Sequence, residues 1–409
     1  MEMLVRKRKK AWQIILVVVF AILVAAGICW YLFSSKLIFN NQQPDQTIKD
    51  SPVATSDEAS NQAKLSVVHF TAMGDMLAHD TIIANAKTDN GYDFQKFFTN
   101  IRSSYQAADV VFCNQEGLSA GEQWGISGYP SFNAPTQFSA DLQNGAGCNL
   151  INLANNHMGD KGTNAIDATL DVWSKLSPLA ISGANKSAED QKKISYFTKN
   201  GIKFSFLSFA DFNNNASTPS YSVNIYHDTA LVKSLVAEAR TNSDVVIVSM
   251  HWGVEDSNSV SDDQLSTADL LNELGVDVVI GTGPHVLQMM QTIHRVNDNF
   301  KTVVWYSLGN MLSSQLNIRE LIGGIADFDV TKDENGAIST SNYEFTPTYM
   351  HYEWTATEAA NYDLLARKNA MIYLLNDAAD SLGHSLFNTS VAEIKQYVTD
   401  TIGSEVTIK

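Results

Sequence analysis

The stretch VVHFTAMGDMLAH, Val67 to His79, decides the fold. Val67 to Met73 is an apolar, β-branched and aromatic run that reads as a buried strand. Gly74 interrupts it, and Asp75 and His79 follow where the strand ends. In open α/β sheets that edge is where ligands bind. The same texture recurs along the chain. Ala108 to Cys113, Leu150 to Ala154, Phe204 to Phe209, Val245 to Met250, Val276 to Ile280 and Thr302 to Leu308 also read as buried strands. Helical spacing separates several of them, at Asn164 to Leu176, Ala230 to Arg240 and Asp263 to Leu274. This alternation predicts an α/β body.

Four further strand ends carry the same kind of residue. Cys113 leads into Asn114-Gln115-Glu116, and Ala154 into Asn155-Asn156-His157-Met158-Gly159-Asp160. Met250 leads into His251-Trp252-Gly253-Val254-Glu255, and Ile280 into Gly281-Thr282-Gly283-Pro284-His285. Taken alone, Asp75 could cap a helix and the two asparagines could form a turn. Glu116 resists such a reading, because a carboxylate flanked by apolar strand needs a partner or a cation. Asp, Glu, Asn and His converging without Cys suit Mn, Fe, Zn or Mg. Two such metals about 4 Å apart can clamp a phosphate-like oxyanion. A P-loop, a Gly-x-Ser-x-Gly elbow and a dinucleotide fingerprint are all missing from the sequence, so no nucleotide cofactor is expected.

Composition narrows the classes further. The 409 residues are 44% apolar and 18% charged, enough to bury a large core. Net charge is −16, and the five bases and one acid of the first ten residues leave −20 for the rest. A body that acidic argues against nucleic-acid binding. Residues 1–13 form a basic N-terminus expected in the cytoplasm. Residues 14–33 are an uncharged run, about 30 Å long as a helix, expected to be a single membrane anchor. The positive-inside rule then places the body outside the cell membrane. Residues 34–65 read as a flexible linker, 66–329 as the folded domain, and 330–409 as an extension packed on the body. Helical spacing in that extension is expected over 357–382 and 390–401.

GDMLAH (74–79), NQEG (114–117), LANNHMGDKG (153–162), HWGVE (251–255), GPHVLQ (283–288) and YSLGN (306–310) resemble, in order and spacing, the CapA family of bacterial capsule proteins. The resemblance covers roughly residues 66–325. It implies a metallophosphoesterase-like sandwich of two mixed β-sheets flanked by helices, and a role in making or exporting poly-γ-glutamate capsule. It makes Asp75 similar to a metal-bridging acid and His157 to the residue that contacts substrate or leaving group, so these are the catalytic candidates. Asp75, Glu116, Asn156, His251 and His285 become the candidate metal ligands, with His79 and Asp160 as additional ones. One departure stands out: the family pattern Gly-x-His-Pro-His has Gly283 as its third residue here. The reading expects one tightly held divalent metal, a weakened second site, and recovery of that site in Gly283→His if the neighbouring backbone can accept a side chain. Two function classes stay open: a metal-dependent hydrolase acting on an anionic envelope polymer or phosphorylated precursor, and a non-catalytic binding or assembly subunit working with other capsule synthesis or export proteins.

Cys113 lies at the end of one strand and Cys148 just before another. If those strands are parallel neighbours, the thiols sit apart along the sheet, so both are expected free and buried.

Overall fold

The computed structural model describes residues 65–298 and 300–409. The expected anchor at 14–33 lies outside them, as does nearly all of the linker. Among the described residues no helix is long and apolar enough to cross a membrane.

Two mixed sheets face each other. The larger follows the order β16-β15-β14-β1-β4-β5-β6. Its strands are β1 (Ser66–Leu77), β4 (Val110–Glu116), β5 (Leu150–Asn152), β6 (Ala180–Ser182), β14 (Ile322–Lys332), β15 (Ile338–Glu353) and β16 (Lys368–Leu374). Two short strands join its margins: β13 (Asn310–Leu312) beside β1 and β17 (Thr407–Ile408) beside β15. The smaller sheet follows β11-β12-β10-β9-β8-β7, made of β7 (Ser195–Lys199), β8 (Ile202–Ala210), β9 (Val245–His251), β10 (Val278–Thr282), β11 (Met290–His294) and β12 (Lys301–Trp305). A separate hairpin pairs β2 (Lys87–Thr88) with β3 (Gly91–Tyr92).

Strand alternation explains why the smaller sheet reads as unbroken apolar sequence. Phe204, Phe206, Val245, Ile247, Val278 and Ile280 belong to the core shared with Phe70 and Phe112 of the larger sheet. Phe70 meets Phe204 at 5.3 Å and Phe112 meets Phe206 at 6.2 Å between ring centroids. The intervening residues Leu207, Phe209, Val246, Val248 and Val279 pack instead on helices at Thr229–Asn242 and Asp262–Leu274, through Val236 and Leu271 among others. Each fully buried side chain of this size contributes about 1.5–3 kcal/mol. On β4, Gln115 is buried and its Oε1 accepts from Ser139 Oγ at 2.6 Å and Trp173 Nε1 at 3.0 Å. Its neighbours Asn114 and Glu116 therefore face the other way, with Phe112.

The extension is part of the sheet and not a layer laid on it. β14 runs antiparallel to β1, and β15 and β16 continue the same sheet. The tract 357–382 does not form the expected helix. It breaks into short helical turns around β16, whose inward residues Ala370 and Ile372 are buried. The helix Val391–Ile402 agrees with the sequence expectation.

The expectation of free thiols is overturned. Cys113 and Cys148 form a disulfide with Cα atoms 5.7 Å apart, inside the usual range for a bridge. Cys148 is not on the line of β5. The helix Gln137–Ala146 ends at Gly147, whose φ of 75° turns the chain sharply, so Cys148 lies against β4 before β5 begins. Extrapolating the strand backwards through that turn put the two residues too far apart.

Candidate metal and catalytic site

Asp75 reaches the site because β1 carries a bulge. Met73 pairs with Cys113 and Asp75 with Asn114, so Gly74 is the extra residue. Had the pairing continued in register, Asp75 would stand opposite Gln115 and point away from the face that Asn114 and Glu116 share. Gly74 is required sterically, since a Cβ there would sit 1.9 Å from the Gly309 carbonyl oxygen.

The structure brings five of the expected residues together. Asp75, Glu116 and His285 offer ligand atoms that all lie within 4.8 Å of one another, and all three are buried. His285 Nδ1 is 3.1 Å from Asp75 Oδ2, and its Nε2 is 3.7 Å from Glu116 Oε1. His251 Nε2 lies 3.8 Å from Glu116 Oε1 and 3.1 Å from Asn156 Oδ1. His251 Nδ1 meets the Thr282 hydroxyl at 3.0 Å, which can donate or accept and so serve either tautomer. His285 adopts φ 61°, an uncommon conformation for a non-glycine residue that recurs at functional sites.

Electrostatics follow from this crowding. Burial alone would raise Asp75, but the hydrogen bond and charge of His285, with help from His251 and Asn114, hold its carboxyl below the ordinary value. Burial drives Glu116 well above its ordinary value; His285 opposes this, and nearby Asp75 reinforces it. Burial would depress His285, yet Glu116 and Asp75 outweigh it and raise the imidazole to about 10. His251, with burial dominant, falls to about 4.

Both carboxylate oxygens of Glu116 are buried without a hydrogen-bond partner. A carboxylate left this way costs stability unless a cation completes it. Asp and Glu oxygens with imidazole nitrogen are the donor set of a hard or borderline divalent cation. The residues present therefore fit such an ion, held by Asp75, Glu116 and His285, with His251 and Asn156 alongside.

His157 and Asp160 form a separate unit. His157 Nδ1 donates to Asp160 Oδ2 at 2.8 Å, which leaves Nε2 as the free nitrogen. Asp160 Oδ2 also accepts from the Phe132 backbone at 2.7 Å. Asp160 thus orients His157 and does not join the three-residue cluster. His79 does not join it either; it packs edge-on to Phe132 at 5.1 Å, and Phe132 also meets His157 at 4.6 Å.

Gly283 requires a correction. Its φ is 107°, and a Cβ there would meet the Trp252 carbonyl oxygen at 2.9 Å. An imidazole cannot be carried at 283 without moving that backbone, so Gly283→His is not expected to restore a ligand. Gly283 instead donates its N–H to Asp75 Oδ2 at 3.1 Å. A cavity of about 30 Å³, room for roughly one water-sized group, adjoins it between Asn156, Asp211, His251 and Glu255.

Sequence reasoning gave no role to the amides that steady the acids. Asn114 Nδ2 donates to Asp75 at 2.7 Å, and Asn152 Nδ2 donates to Asn114 Oδ1 at 2.9 Å. Asn310 Oδ1 accepts from His285 Nδ1 at 3.1 Å. The available signal was an amide embedded in apolar strand, at VVFCN and LIN, because a buried amide demands partners.

Fold and site together define a two-sheet α/β sandwich with a buried Asp–Glu–His cluster, suited to a cation, at its strand ends. The chain belongs to the family described as "Bacterial capsule synthesis protein PGA_cap", whose model matches residues 69–315. It is 32% identical over 208 residues to "PGA biosynthesis protein CapA" of Bacillus subtilis, covering 49% of this chain and 51% of that one. It is 32% identical over 177 residues to "Capsule biosynthesis protein CapA" of Bacillus anthracis, covering 42% and 41%. The chain thus spans about half the length of the curated relatives it matches. Solved structures with similarity include the Haemophilus influenzae NAD nucleotidase, at 14% identity and TM-score 0.39 over 74% of this chain and 63% of that one. The Candida albicans 5'-nucleotidase has 12% identity and TM-score 0.39 over 69% and 51%.

Proposed function

We propose that the protein is a metal-dependent hydrolase of capsule biosynthesis, acting on an anionic envelope polymer such as poly-γ-glutamate or on a phosphorylated precursor. The carrying observation is Glu116, a buried carboxylate with neither oxygen bonded, set beside Asp75 and His285. A divalent cation bound there would supply Lewis acidity to a phosphoryl or carbonyl oxygen. Asn114 and the Gly283 N–H hold Asp75 in its rotamer. His157, oriented through Nδ1 by Asp160, can take a proton at Nε2, from the attacking water or from solvent, and pass it to a leaving group. The test is hydrolysis of bis-p-nitrophenyl phosphate with Mn. Wild type should turn over, and His157→Ala should lose about 10²–10⁴ of kcat while keeping its metal. Absence of turnover with Mn, Zn and Mg would defeat the hydrolase reading. The assembly-subunit reading would then hold, which the side-chain-free position at Gly283 favours.

The body is proposed to lie outside the cell membrane, tethered by 14–33. The uncharged span behind a basic run supports this, and so does the Cys113–Cys148 disulfide, because such bonds persist in oxidising compartments. Protease added to intact spheroplasts should digest the body; a protected full-length body would reverse the topology.

A further inference from the structure

A cavity of about 800 Å³ lies between the helix Asp80–Ala86, the Ser314–Asn317 segment and the turns before β16. Gln315 in its wall accepts from Asn310 Nδ2 at 2.6 Å, and Asn310 in turn contacts His285. His79 also lines it and reaches His157 through Phe132. Gln315 and His79 thus each connect the cavity to the site through one intervening side chain.

Arg367 lines this cavity with only 4% of its surface exposed. Its hydrogen bonds go to neutral oxygens: the Leu364 and Ser314 carbonyls and the hydroxyls of Thr81 and Ser314. Its faces lie over Tyr352 and Trp354 at 4.9 and 5.4 Å. Among the described residues no carboxylate pairs with it, which is unusual for a buried guanidinium. Asp80 and Glu320 also line the cavity, but each already accepts from backbone, at Gly128 and Asn317. The rim is apolar and exposed: Tyr129 at 72%, Tyr362 at 65% and Leu365 at 62%. A buried cation lacking its anion, beneath an exposed apolar rim, is the layout of a ligand pocket with one orienting charge.

We propose that this cavity is a second binding site, in which Arg367 takes a carboxylate of an extended ligand whose next portion reaches the metal cluster. Arg367 is the buried cation of the lining and Lys87, which also lines the cavity, is exposed; together they suit an anionic group, and competition by acetate and phosphate separates carboxylate from phosphate. The proposal deepens the hydrolase reading by naming the class of group held next to the scissile bond. It does not need the cation, so the two can fail separately.

The probe is dansyl-labelled, C-terminally amidated triglutamate, titrated into the EDTA-treated full-length protein, with dansyl-labelled, C-terminally amidated triglutamine as the uncharged control. Triglutamate should bind at least about tenfold more tightly than triglutamine, and acetate should compete better than phosphate. Arg367→Gln should abolish that preference. Because Arg367→Gln can also disturb packing, Leu365→Glu is the second variant: at the exposed rim it leaves the core intact and should repel the acidic probe about tenfold. Equal binding of the two peptides, or indifference to Leu365→Glu, would overturn the second site. Stronger competition by phosphate would overturn the assignment to carboxylate.

Discussion

Glu116→Gln should leave the metal-free protein at least as stable as wild type while abolishing most of the stabilisation that a divalent cation confers. The two halves of this result have one cause. In the metal-free protein the Glu116 carboxyl is buried, both oxygens lack partners, and burial lifts its pKa well above the ordinary value. A folded-state pKa above the unfolded one means the folded protein binds more protons in that window. Stability therefore falls as pH rises through it. Gln has the same shape without the ionisation, so its advantage in EDTA should grow as pH rises from about 5 to 8. With cation present the order reverses, because Gln gives a weaker oxygen ligand. Saturating metal at about a thousandfold its dissociation constant adds about 4 kcal/mol to wild type, and most of this increment should vanish in the variant. His285, held near 10 by Glu116 and Asp75, must also shed a proton to bind metal, so wild-type affinity should climb with pH. Melting curves with and without Mn at three pH values test each part. An unchanged metal increment in Glu116→Gln would remove Glu116 from the site.

The sequence made the sandwich's parallel strands readable because burial on both faces leaves almost nothing but apolar residues, as in Val245 to Met250, where Ser249 is the one polar residue. It made the site readable for a related reason: a polar residue at the end of such a run has few structural uses. What stayed hidden depended on register and on turns. The bulge at Gly74 decides which face Asp75 takes, yet VVHFTAMGD carries no periodicity that fixes it. β15 opens on ISTSNYEF, where Ser339 to Asn342 are polar in a row, and the pairing of β15 with β14 and of β16 with β15 rests on contacts that local spacing does not announce. Gly283 looked like an imidazole lost; its backbone shows a position at which a side chain has no room. Arg367 lies outside the resembling motifs, and its burial becomes visible only when β16 folds beside the helix Asp80–Ala86.

The second large effect concerns the bridge that the strand geometry argued against. Cys113 and Cys148 are 35 residues apart and neither is exposed. Closing a loop of that length removes unfolded-state entropy worth about 4 kcal/mol. Replacing both cysteines by alanine should therefore lower the melting temperature by several degrees, with the lost sulfur packing adding to the entropic loss. The bond also ties the end of the helix Gln137–Ala146 to β4, one residue before Asn114 and three before Glu116. Metal affinity should change far less than stability, because Asn114 and Glu116 are still held by their pairing with β1. Reductant added to the folded protein should have little effect, since the sulfurs are out of its reach; reduction in denaturant should reproduce the alanine variant. Alkylation in denaturant without reductant should label no more than one of the chain's three cysteines, Cys29. Labelling of all three, together with an alanine variant that melts like wild type, would restore the free thiols that the line of β5 implies.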